Sequence, residues 1–141
     1  MLNLIDSFEH TIDEKGRLVL PSAYRDQFAA GAVLSAKGDH VACYTQPAWE
    51  EFLEQLRIKR REGHITRDDF NLITGLSSAV KPDAQGRVML SGRIRASAEL
   101  DRDVIVQGAD DYLAIYRPSR WADEGAATIA DVTAKLNKLG L

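Results

Sequence analysis

Apolar positions along the chain fall into two kinds of pattern. Short β-branched and apolar runs, three to five residues each, read as strands: Phe8 to Ile12, Ala32 to Ala36, Val41 to Tyr44, Val104 to Val106 and Tyr112 to Tyr116. Between and after them the spacing changes to that of a helix. Trp49, Phe52, Leu53 and Leu56 stand at i, i+3, i+4 and i+7, so they line one face of an amphipathic helix that Gly63 ends. Asp68 to Ile73 continues as a second helical piece with Phe70, Ile73 and Leu76 on one side, and Ile129, Val132, Leu136 and Leu139 give a tail helix after Gly125.

The strand runs repeat. Asp13-Glu14-Lys15-Gly16-Arg17-Leu18-Val19-Leu20 returns 70 residues later as Asp83-Ala84-Gln85-Gly86-Arg87-Val88-Met89-Leu90, and the closing Arg25 returns as Arg95. Further on, Tyr44, Pro47 and Trp49 are answered by Tyr116, Pro118 and Trp121. Each unit therefore reads as a β-hairpin through the Asp-x-x-Gly-Arg turn, a short helix, and a second β-hairpin. Pro21 suits the first position of the helix in the first unit, and Ser91 suits an N-cap in the second. The second hairpins turn through Lys37 to His40 and through Gln107 to Asp111. The fold class expected is α+β, mainly β. Residues 5–47 and 75–121 form the two repeats, 48–74 a helical linker and 122–141 a tail helix.

Composition narrows the function. With 45% hydrophobic and 28% charged residues the chain suits a folded soluble domain, and no stretch approaches the roughly 18 apolar residues of a membrane span. The first seven residues carry no basic region and no long apolar run, so no signal peptide is expected. A single cysteine, Cys43, fits a reducing cytoplasm and reads as a packed core residue. His10, His40 and His64 lack metal-ligand spacing, and there is neither a phosphate-binding glycine loop nor a nucleophile elbow. No enzyme, metal or cofactor is expected.

The turns are the strongest signal. Aspartate at the first position accepts backbone N–H bonds and glycine supplies a positive φ, so Asp13, Gly16, Asp83 and Gly86 read as loop-shaping. Arg17 and Arg87 have two readings: each can brace its turn through the aspartate, or direct its fork at phosphate or a guanine edge. Net charge is −3, which argues against indiscriminate nucleic-acid binding. Positive charge is nevertheless concentrated at the turns. Lys81, Arg87, Arg93 and Arg95 face only Asp83, for 4 − 1 = +3, and Lys15, Arg17 and Arg25 face Asp13 and Glu14, for 3 − 2 = +1. Such faces bind DNA weakly once and well many times over. The Arg57-Ile58-Lys59-Arg60-Arg61 run reads as a solvated helix C-terminus, and Trp49 and Trp121 as core or interface anchors.

Residues 8–121 resemble the MraZ family of the AbrB-like, swapped-hairpin superfamily. The resemblance is carried by Phe8 to Arg17 with Leu20-Pro21 and Arg25, and by Asp83 to Arg87 with Arg93 and Arg95; Ser91 departs from the usual proline. It implies that the repeats form one pseudo-two-fold barrel and that copies join head to tail in a ring, an octamer or dodecamer. It further implies a nucleoid-associated transcriptional repressor that binds promoter direct repeats of double-stranded DNA ahead of the division and cell wall gene cluster containing its own gene. The DNA-binding residues would be Lys15, Arg17, Lys81 and Arg87. Rival readings are an AbrB-type antitoxin regulator, with one repeat and a disordered toxin-binding tail, and a scaffold that binds no DNA.

Overall fold

The computed structural model describes residues 3–122 and 128–141; Gly125, ahead of the expected tail helix, lies outside the described residues. The first half comprises strands β1 (Ser7–Thr11) and β2 (Arg17–Val19), helix α1 (Arg25–Phe28) and the hairpin β3 (Ala32–Ala36) with β4 (Val41–Thr45). Helices α2 (Gln46–Arg61) and α3 (Arg67–Gly75) follow. The second half repeats the order with β5 (Ser77–Val80), β6 (Arg87–Met89), α4 (Gly92–Ser97), β7 (Asp103–Gly108), β8 (Tyr112–Tyr116) and α5 (Pro118–Ala122), and α6 (Ile129–Lys138) closes it.

The pairing makes the two halves one fold. Six antiparallel strands run in the order β1-β7-β8-β4-β3-β5, and β2 and β6 form a separate two-stranded ribbon. Exchanging the halves maps this arrangement onto itself: β1 pairs with β7 as β5 pairs with β3, while Ala42 faces Ala114 and Leu18 faces Val88 across the pseudo-two-fold. The α+β class and the swapped barrel expected of it are both present. One local expectation changes. The strands flanking each Asp-x-x-Gly-Arg turn do not make a hairpin within their own unit. Beyond the turn's own bonds, the first is joined by one bridge, Ile12 to Leu18, and the strands go on to pair with the other repeat. A three-residue strand gains little from its hairpin neighbour, whereas pairing across the repeats buries Leu18 and Val88 in the shared core.

That core lies between sheet and ribbon. Leu18, Leu20, Phe28, Leu34, Val41, Cys43, Val88, Leu90, Val106 and Ile115 belong to one buried cluster drawn from both halves. Alternation sorts each strand between this core and the outer face of the sheet. On β3 and β4, Val33, Ala42 and Tyr44 point outward, where α2 covers them with Trp49, Phe52 and Leu53. Thr45 caps α2 through its hydroxyl, which accepts from the Ala48 N–H at 3.3 Å, and Gly63 at φ +82° follows its C-terminus. Helix α3 opens with a capping box, Thr66 and Asp69 each accepting from the other's backbone N–H, and packs on β3 and β5.

The short helices differ from each other. Ser91 caps α4 by accepting from the Ile94 N–H, as its sequence suggested. Pro21, however, opens a turn closed by the Tyr24 N–H on its carbonyl, and α1 begins only at Arg25. With no capping side chain at Tyr24, the first half keeps just one helical turn.

Candidate nucleic-acid interface

The two Asp-x-x-Gly-Arg turns are built bond for bond alike. Asp13 Oδ1 accepts the N–H groups of Lys15 and Arg17, each at 2.9 Å, and its Oδ2 accepts Arg17 Nε at 2.8 Å. Asp83 repeats this with Gln85 and Arg87, its Oδ2 accepting Arg87 Nε at 2.7 Å. Gly16 and Gly86 donate to the aspartate carbonyls at 2.9 Å and sit at φ +82° and +76°, which a side chain would strain. Backbone N–H donation, first of all from the arginine directly after the glycine, holds both carboxyls below the ordinary carboxylate range; the Arg side chains act in the same direction.

Each arginine is thus held by its Nε. Among the described residues its terminal nitrogens have no hydrogen-bond partner, and the side chains of Arg17 and Arg87 remain 28% and 25% exposed. The ribbon sets them relative to one another. Leu18 and Val88 point into the core, so Arg17, Val19, Arg87 and Met89 share the outer face. Arg17 pairs with Met89 and Val19 with Arg87, which makes the two arginines diagonal neighbours at a Cα separation of about 7–8 Å. The ribbon ends are tied across the repeats: Leu20 N–H donates to Gly86 O at 2.9 Å, and Leu90 N–H to Gly16 O at 2.8 Å.

Two lysines accompany this face. Lys15 occupies the first turn and Lys81 stands just before the second, both exposed. The remaining basic run is spent on its own helices: Arg57 and Arg61 reach Glu54, Lys59 reaches Glu62, and Arg60 lies 4.4 Å from the centre of the Phe70 ring.

The family model described as "MraZ protein, putative antitoxin-like" matches residues 4–71 and again 74–136. The chain belongs to the MraZ family. Curated relatives named transcriptional regulator MraZ include those of Thermobifida fusca, 38% identical over 79% of each chain, and Thermomicrobium roseum, 30% identical over 88% of each. A relative of the same name from Herpetosiphon aurantiacus is 30% identical over 92% of this chain and 96% of its own. The MraZ family is one of regulators by name, in keeping with the expectation that the chain is no enzyme.

In this MraZ family member two arginines prove closer to the turns than the motif suggested. Arg25 and Arg95 each cross to the opposite repeat's turn. Arg25 lies against Gly86, and Arg95 Nη1 stands 3.8 Å from where a Cβ on Gly16 would be. Their Nη2 groups donate to Leu20 O and Asp101 O, while both Nε atoms are buried with no hydrogen-bond partner among the described residues. The signal available in sequence was their return at the offset of the turns themselves. Trp49 is a core anchor, 8% exposed, whereas Trp121 is 40% exposed and donates its Nε1 to Gln107. Cys43 is wholly buried, and burial pushes its thiol up to about 12. No group of three or more metal-ligating side chains occurs among the described residues, and no described helix is long and apolar enough to cross a membrane.

Proposed function

We propose that this chain is a DNA-binding transcriptional repressor that meets its operator through the outer face of the β2–β6 ribbon. The observation that carries this reading is the pair of Asp–Arg turns built alike on one face, each arginine pinned at Nε while its terminal nitrogens have no hydrogen-bond partner among the described residues. A two-stranded ribbon is of a width that enters the major groove, and a guanidinium fork matches guanine O6 and N7 or a phosphate. Arg17 and Arg87 read or grip the DNA, Lys15 and Lys81 add phosphate contacts, and Asp13, Gly16, Asp83 and Gly86 hold the loops in shape.

One such face on a chain of net charge −3 binds weakly. Affinity then comes from repetition. Copies joined head to tail in a ring of eight or twelve present successive faces to direct repeats, and the second contact costs far less than the first. Each copy contributes its two repeats, residues 5–47 and 75–121, as one display unit, with 48–74 and 122–141 outside it. The target is the promoter of the division and cell wall gene cluster that includes its own gene, and occupancy excludes RNA polymerase. The protein is placed in the cytoplasm, at the nucleoid.

The deciding experiment is a gel shift at fixed salt on DNA from upstream of its own gene, comparing the native chain with Arg17→Ala plus Arg87→Ala. Loss of binding with native mass and melting kept is the expected result. Unchanged affinity would leave the arginines to the turns alone and remove DNA from the account.

A further inference from the structure

The pseudo-two-fold equates Arg17 with Arg87 but not their neighbours on the ribbon. Each arginine has an apolar residue directly across from it, Met89 opposite Arg17 and Val19 opposite Arg87. The two are equivalent in the repeat, 70 residues apart, yet they are exposed differently. Val19 is half-buried and borders a groove over β1 with Glu9, Thr11 and Ile105. Met89 is 49% exposed, on the same outer face as both arginines.

Met89 is also held in place. Leu90, next in the chain, donates its N–H to Gly16 O at 2.8 Å, and Met89 Sδ stands 3.5 Å from where a Cβ on Gly16 would be. The thioether thus lies against the glycine of the first turn, one residue from Arg17. Phosphate contacts are made by charged and polar groups, so a grip on the backbone alone has no use for this side chain. Base edges do. The apolar group that base pairs present in the major groove is the thymine C5-methyl, beside the guanine O6 and N7 that an arginine fork matches. Directly opposed residues of an antiparallel pair lie about 4.5–5.5 Å apart, little more than the roughly 3.4 Å rise between base pairs. When the fork of Arg17 reaches a guanine, Met89 is therefore at the level of an adjoining base pair.

We propose that Met89 is a specificity-determining residue, its thioether side chain meeting the C5-methyl of a thymine in the base pair adjoining the one that Arg17 contacts. The inference rests on the DNA reading in the proposed function and adds a base preference to it. It also gives the contact a direction. With Arg17 and Arg87 alone, a two-fold face takes a site equally well either way round. The two turns are equal in net charge, Glu14-Lys15 in one standing where Ala84-Gln85 stands in the other. Met89 reaches out at one end only, so the ends are not interchangeable.

The test uses the full chain and DNA from upstream of its own gene, made once with thymine and once with uracil, which lacks only the C5-methyl. Gel shifts at one salt concentration compare the wild type with Met89→Gln and Met89→Leu. The wild type should bind the thymine fragment more tightly by about fourfold or better, the share that one buried methyl supplies. Met89→Gln keeps the length of the side chain without its apolar end and should bind both fragments alike. Met89→Leu should keep most of the preference. Methyl groups elsewhere in the fragment act on all three proteins equally, so the readout is the difference in preference between wild type and Met89→Gln. A preference as large in Met89→Gln as in the wild type, or none in the wild type, overturns the inference and leaves DNA binding in place. Loss of all binding by Met89→Gln with its melting unchanged overturns it as well, since Met89 would then be a general contact. If the wild type binds neither fragment, the DNA reading itself fails, and this inference with it.

Discussion

Arg25 of the first repeat occupies the space that a side chain on Gly86 of the second would need. A Cβ built on Gly86 falls 2.6 Å from Arg25 Cδ, and the glycine sits at φ +76°. Two requirements therefore meet at one residue, backbone conformation and room for a neighbour. Gly38 offers a comparison: its φ is +92°, with nothing within 4 Å of the added carbon. Gly38→Ala carries only the left-handed penalty, roughly 1–2 kcal/mol. Gly86→Ala adds the crowding of Arg25, expected at about 1 kcal/mol or more beyond that. Urea unfolding of the two variants measures the difference. Equal costs would mean that Arg25 moves aside freely and does not link the repeats.

The ribbon's buried pair gives a second prediction. Leu18 and Val88 face each other across the pseudo-two-fold and are 0% and 1% exposed. Leu18→Ala should cost about 2–5 kcal/mol, from lost burial and the cavity left behind. Because the two side chains share that space, Val88→Ala should not add independently, and a double-mutant cycle should return a coupling of at least about 0.5 kcal/mol. Strict additivity would show that the ribbon packs as two separate strands.

How much of this was legible beforehand differs between elements. The α2 stripe from Trp49 to Leu56 and the Ser91 cap are local matters, decided by period and by one side chain, and both stand in the structure as the sequence reads. The turns were legible for the same reason, since aspartate and glycine act within five residues. Strand partners are a different kind of question. Alternation assigns a face to each residue of β1 and β2 but not a neighbour, and the neighbours are β7 and β6, each more than sixty residues away. The crossing of Arg25 and Arg95 depends on that pairing, so it could be seen only once the pairing was known. Pro21 failed for a smaller reason: proline fits a tight turn as well as a helix start, and Tyr24 offers no cap to prolong a helix.

Acid should loosen the turns before it unfolds the barrel. Asp13 and Asp83 have carboxyls held below their ordinary value of 3.8, chiefly by the backbone N–H groups of Arg17 and Arg87. A folded value below the unfolded one means that these groups stabilise the fold above about pH 3.8, and that the contribution is lost as pH falls through the lower folded value. Asp13→Asn with Asp83→Asn removes the titration. The variant should lose less stability than the wild type between pH 4 and the acid limit, measured by thermal melting. At neutral pH it should also bind DNA more weakly, because an amide nitrogen placed against Arg17 or Arg87 Nε cannot accept its proton. Parallel stability curves for the two proteins would show that the carboxylates contribute nothing specific in the folded state.

Lys37 should act in the opposite direction, at alkaline pH. Its ammonium lies 3.5 Å from the centre of the Phe52 ring and 5.1 Å from that of Tyr44, at the turn of the β3–β4 hairpin. Burial there lowers its pKa from 10.5 to about 8, against a smaller raising influence from Asp111. The aromatic faces favour the cation and offset part of the cost of removing it from water. A folded value below the unfolded one, on a base, means that the charged form is the disfavoured one in the fold. The penalty is complete below pH 8, fades as pH rises toward 10.5, and is absent beyond. Wild-type stability should therefore rise relative to Lys37→Met across that window, since methionine keeps the apolar stem on Phe52 without any charge. Paired denaturant titrations at pH 7, 9 and 10.5 provide the measurement. A difference that stays constant with pH would mean that the rings support the ammonium fully and that Lys37 keeps its ordinary pKa in the fold.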